Sequence, residues 1–124
     1  AVKFSSDLAG VARERFVEAV KAELAPTMGH DDEVYIGCGY VKPIYLEPLY
    51  QNLVGYGDKG CPFKCPWYKG ELNYAKGLCP TAERMHFDEI ITHEFIRPPM
   101  TRQDLDDVAM AFIKVWTNRE EIQR

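Results

Sequence analysis

Residues 79–116 read CPTAERMHFDEIITHEFIRPPMTRQDLDDVAMAFIKVW, and the punctuation of this stretch decides the fold. Pro80 suits the first position of a helix, where a missing N–H costs nothing. The spacing predicts a short helix over about 80–88. Ala82, Met85 and His86 should face the body there, with Glu83, Arg84 and Asp88 more exposed. Ile91, His93 and Phe95 then alternate with Thr92 and Glu94, the period of a half-buried strand, over about 89–96. Pro98-Pro99 ends it. The helix that follows, about 102–117, has the clearest start in the chain. Thr101 and Asp104 form a capping box, and Met100 and Leu105 occupy the staple positions. Leu105, Val108, Ala109, Phe112, Ile113 and Trp116 recur at helical steps and predict its inward stripe.

Working outward, residues 6–24 predict one amphipathic helix capped by Ser5 or Ser6. Leu8, Val11, Ala12, Phe16, Ala19, Val20 and Leu24 form its apolar stripe, and Arg13, Glu14, Glu18 and Lys21 its wet side. Arg15 lies nearer the stripe, and Pro26 and Gly29 stop the helix. Val34, Ile36 and Cys38 alternate with Tyr35 and Gly37, predicting a strand over about 33–38. Pro48 to Leu53 allows a helical turn with Leu49 and Leu53 inward. Residues 55–79 are rich in glycine, proline, lysine and aromatics and predict an irregular loop. A loop of this length in a small domain is commonly a binding or interface element. The expected architecture is therefore α+β, a small two-layer domain with a short, mainly antiparallel sheet packed by helices.

The chain has 124 residues, 46% of them hydrophobic and 27% charged, enough to bury a core. A net charge of −4 and the lack of a Lys/Arg stripe argue against nucleic acid as a partner. No run approaches the roughly 20 apolar residues that cross a bilayer. Ser5, Ser6 and Asp7 interrupt any signal-like start, so a cytoplasmic setting is expected. In such a setting Cys38, Cys61, Cys65 and Cys79 are expected as reduced thiols. Cys61, Cys65 and Cys79, with His86 or Cys38, form the one combination with zinc-like spacing. No local motif pairs a cysteine with a histidine for nucleophilic work. His93 reads as a packing residue, and His30 as part of a polar turn.

The segments Leu78-Cys79-Pro80-Thr81-Ala82-Glu83-Arg84, Met100-Thr101-x-x-Asp104-Leu105 and Lys42-Pro43-Ile44-Tyr45-Leu46-Glu47-Pro48-Leu49-Tyr50 carry a resemblance. They resemble the C-terminal small domain of the DegT/DnrJ/EryC1 family of aminotransferases that use pyridoxal phosphate. The resemblance implies the small domain of a fold-type I transferase acting on a nucleotide-linked keto sugar or a keto cyclitol. It implies a cofactor domain outside these residues, as an N-terminal domain or partner chain, and a homodimeric parent. None of the lysines has the serine-led context of the family's aldimine lysine, so the chain alone is expected to bind no cofactor and to be inactive. Tyr45, Glu47, Phe63, Lys64, Trp67, Tyr68 and Lys69 are the expected substrate-side or interface residues. Many members carry histidine where Tyr45 stands. Glu83 and Arg84 are expected to fasten the turn to the body. The competing expectation is a non-enzymatic binding or interaction module, with a zinc-stabilised module as its variant, and with the tyrosine-rich segment and the loop as its contact surface.

Overall fold

The computed structural model describes residues 1–26, 34–58 and 60–123. It is a small α+β domain with a short antiparallel sheet packed by helices. The elements run β1 (Val2–Lys3), α1 (Ser6–Ala9), α2 (Arg13–Ala22), β2 (Ile36–Cys38), a 3-10 turn (Ile44–Leu46) and α3 (Pro48–Gln51). After the long loop come α4 (Pro80–Arg84), a π-helical turn (Met85–Glu89), β3 (Ile90–His93), α5 (Arg102–Thr117) and a closing 3-10 turn (Arg119–Gln123).

The strand order is β1-β3-β2, and both pairings are antiparallel. Ile36 stands opposite His93, and Cys38 opposite Ile91. This register turns Ile36 and Ile91 into the same interior, where α2 lies over the sheet and α5 packs on α2. Phe4, Ala9, Val11, Phe16, Val17, Val20, Phe95, Ala111 and Val115 complete the buried core. Phe16 is its aromatic centre, with Phe4 at 5.0 Å and Phe112 at 6.1 Å between ring centroids. The central strand is set by its alternation, as expected. β1 adds a strand that two residues are too short to announce by periodicity.

The first helix departs from its expected form. Gly10 adopts a left-handed φ of 69° and ends α1, so the predicted 6–24 helix is two. Ser5 is the cap of the first, accepting from the Leu8 N–H. The break swings Leu8 out to 79% exposure and exposes Ala12, both expected inside. It also turns Arg13, expected on the wet side, into the interior at 4% exposure. Leu24 lies beyond the end of α2 but still packs against the core. Gly29, His30 and Lys59, with residue 33 of the expected strand, lie outside the described residues.

The last helix spans the expected residues, and both halves of its capping box form. The Thr101 N–H donates to Asp104 Oδ2 at 2.6 Å, and the Asp104 N–H donates to Thr101 Oγ1 at 3.4 Å. Its buried stripe is rotated from the expected one. Leu105, Val108, Ala111, Phe112 and Val115 face inward, while Ala109, Ile113 and Trp116 are exposed. Leu49 is likewise exposed rather than inward, and Leu53 is half-buried.

Candidate functional site

The expected helix over 80–88 changes winding halfway. Its first turn, begun by Pro80, is α-helical, and Met85–Glu89 continue as a π-helical turn whose end is closed by the Ile90 N–H donating to the Met85 carbonyl. A widened turn at a helix end leaves carbonyls without N–H partners. Arg13 supplies them. Its Nη1 donates to the carbonyls of His86 at 3.0 Å and Ile90 at 3.1 Å, and its Nη2 to that of Phe87 at 2.6 Å. Glu14 balances the charge from the exposed side at 2.8 Å, and the guanidinium holds its carboxyl below the usual range. One buried cation thus positions the whole 80–90 segment against α2.

The segment aims Glu83 inward. Glu83 is 8% exposed, a correction to its expected exposure, whereas Ala82 and Met85, expected against the body, face out. Its carboxylate accepts from the hydroxyl of Tyr45, which is 6% exposed, and from the Gly77 N–H at 2.6 Å. These bonds hold Glu83 below its usual pKa, with the Tyr45 bond the largest cause and the Gly77 bond the next. Burial and then the Glu83 bond push the Tyr45 hydroxyl up to about 12. A carboxylate kept charged and a phenol kept protonated across the neutral range make a fixed acceptor and donor, not a proton shuttle. Arg84 points away and pairs with Glu89 at 3.0 Å.

Around this pair the loop takes its place. The Gln51 side-chain amide donates to the carbonyls of Tyr45 at 2.7 Å and Tyr74 at 2.6 Å, joining α3 to the far arm of the loop. Tyr50, Phe63 and Tyr74 then meet edge to face, with centroids 5.3 to 6.1 Å apart. Glu47 is half-buried, and its carbonyl accepts from the N–H groups of Tyr50 and Gln51. Lys64, Trp67, Tyr68 and Lys69 are exposed, Trp67 at 78%. The structure therefore gathers Tyr45, Glu47, Glu83 and Phe63 into one connected base and leaves the other four expected contacts on the open surface. Arg13, Gln51, Tyr74 and Gly77 support that base without any sequence signal, Arg13, Gln51 and Tyr74 through partners remote in the chain and Gly77 through a backbone N–H that carries no side-chain cue.

Cys61 and Cys65 are joined in a disulfide, which corrects the expectation of four reduced thiols. It also removes two donors from the candidate zinc set. Cys79 is exposed, and His86 is engaged otherwise, its Nδ1 accepting from the Tyr40 N–H at 3.4 Å. Among the described residues no three His, Cys, Asp or Glu side chains gather as around a metal. Cys38 is half-buried, and burial pushes its thiol up, away from the reactive thiolate.

An aldimine lysine needs a desolvated, enclosed amine. None of the described lysines is buried. Lys3 pairs with Glu89, Lys21 with Glu18 and Lys114 with Glu23, and Lys76 lies 4.6 Å over the Phe87 ring. No helix among the described residues is long and apolar enough to cross a membrane. No family model, curated protein or solved structure matches the chain.

Proposed function

We propose that the chain is the C-terminal domain of an aminotransferase dependent on pyridoxal phosphate, acting on a nucleotide-linked keto sugar or a keto cyclitol, and inactive alone. The observation that carries the reading is the bond from Tyr45 to Glu83. The segments around these two residues, Lys42 to Tyr50 and Leu78 to Arg84, are those that resemble the aminotransferase family. Thirty-eight positions separate the two residues, yet they close on one another in the interior. That closure ties both ends of the intervening loop to the body, and the loop is the wall that would shape the substrate side of a neighbouring pocket. Tyr45, Glu47 and Phe63 form its base, and Lys64, Trp67, Tyr68 and Lys69 its outer part. The exposed apolar residues Leu8, Tyr40, Val41 and Ile44 supply surface for a cofactor domain to cover. The parent is a cytoplasmic homodimer in this reading.

The open reading frame upstream of the Ala1 codon is the first test. A cofactor domain with its lysine supports the reading, and an unrelated or absent coding region overturns it. The isolated chain mixed with pyridoxal phosphate should show no lysine-specific aldimine absorbance. Such a band, abolished by replacing one lysine, would refute the inactivity of the single domain.

The second reading is an interaction module without chemistry. The exposure of Tyr56 and Trp67 on the disulfide-bearing loop favours it. Its distinguishing result is a protein partner retained by this chain in the absence of any cofactor domain.

A further inference from the structure

We propose that the Cys61–Cys65 disulfide is a reversible redox clip that sets the shape of the loop wall and leaves the folded body untouched. The inference stands independently of the aminotransferase reading, since it concerns what fixes the loop and not what the loop touches.

Three observations carry it. The bridge joins residues only four apart, so closing it withdraws far less freedom from the unfolded chain than a long-range bridge would. No described residue between Gly39 and Ile90 belongs to the main buried core cluster, so the bridge lies outside the elements that build it. Both cysteines are half-buried in a segment with an exposed surface, within reach of a thiol.

What the bridge does hold is specific. Phe63, inside the small ring, packs edge-on against Tyr50 at 5.9 Å and Tyr74 at 6.1 Å. The Cys61 carbonyl accepts from the Tyr56 N–H at 2.5 Å, and the Cys65 carbonyl from the Tyr68 N–H at 3.1 Å. The Lys64 N–H donates to the Gly60 carbonyl at 2.9 Å inside the same turn. Opening the ring releases Phe63 from the aromatic cluster and frees Lys64, Trp67, Tyr68 and Lys69 to move together. The chemistry balances with a dithiol reductant. One of its thiolates attacks a bridge sulfur and breaks the bond, and its second thiol displaces the mixed disulfide. Two electrons and two protons pass to Cys61 and Cys65, and the reductant leaves as its own disulfide.

The test uses the full chain, oxidised or reduced with dithiothreitol, then digested briefly with trypsin. Cleavage after Lys64 and Lys69, located by mass spectrometry, should be roughly tenfold faster in the reduced form, because cleavage follows the population of the open loop. Near-ultraviolet circular dichroism of the tyrosine cluster should fall with it, while the melting of the body stays in place. Re-oxidation with oxidised glutathione should restore both signals. A variant with Cys61→Ser and Cys65→Ser should digest at the reduced rate whatever the redox buffer. If that variant fails to fold, the wild-type comparison decides alone. Equal cleavage rates in the two forms would overturn the proposal. So would a bridge that resists dithiothreitol in the folded protein, thiols that do not re-pair in oxidised glutathione, or a body that unfolds on reduction.

Discussion

Arg13 and Phe87 lie 74 positions apart, and the guanidinium of the first donates to the carbonyl of the second at 2.6 Å. With the carbonyls of His86 and Ile90 on the same side chain, one cation closes the end of the π-helical turn. Arg13→Met should cost about 3 kcal/mol, because it removes the donor to three part-buried carbonyls while roughly preserving side-chain bulk. Urea denaturation would measure the loss. Arg13→Lys should recover only part of it, since a point charge cannot fork across three carbonyls.

Arg13 also shows where the sequence stops being informative. In an amphipathic helix a charged residue reads as wet unless its acceptors are known, and these come from the other end of the chain. Tyr45 and Glu83 are hidden in the same way. The last helix was legible because Thr101 and Asp104 act on backbone within their own turn. Its inward face was legible only in part: Leu105, Val108 and Phe112 face the core as expected, but apolar residues cover more than half the circumference and packing on α2 chooses Ala111 and Val115 over Ala109 and Ile113. The cysteine spacing suits a zinc pair or a small disulfide ring equally, so composition alone could not separate them.

Thr101→Ala removes the acceptor for the Asp104 N–H and the donor that reaches its carboxylate. The change should cost about 1 kcal/mol of stability. Hydrogen exchange should locate the loss in the first turn of α5.

Gly39 has a φ of 70°, and a Cβ placed on it would lie 2.7 Å from the His86 carbonyl oxygen. Gly39→Ala should therefore destabilise by about 2 kcal/mol, through both backbone strain and the clash. Gly37, two residues earlier in β2, has open space around it. Gly37→Ala should change stability by no more than about 0.5 kcal/mol. Chemical denaturation of the pair separates close approach from ordinary strand propensity.

The Tyr45–Glu83 pair should limit stability at both ends of the pH scale. Glu83 is held below its ordinary value of 4.5, so its contribution is full above that value and is lost as pH falls through the lowered one. Tyr45 is raised from 10.0 to about 12, so its contribution is full below 10.0 and is lost as pH rises towards 12. Tyr45→Phe should abolish the alkaline loss and shrink the acid loss, because the largest cause of the lowered Glu83 pKa is removed. Thermal melts across the acid and alkaline ranges would record both changes.

His93 adds a third titration. Its ring stacks on Phe95 at 5.1 Å, its buried Nδ1 has no hydrogen-bond partner among the described residues, and burial, followed by the charge of the chain's amino terminus, lowers its pKa from 6.5. A lowered folded pKa means that the unfolded chain binds the proton more readily, so stability should fall as pH drops below 6.5. NMR titration of the imidazole should give a midpoint below that value, and His93→Phe should flatten the dependence.

Gly39 reaches the π-helical turn through the clash it avoids with His86, and Tyr45 reaches Glu83. The long excursion between β2 and α4 is thus pinched at its neck, and beyond Tyr45 none of its described residues joins the main core cluster. Insertions, deletions and substitutions beyond that neck can accumulate without consulting the fold. Such a chain can change what it recognises while inheriting how it stands.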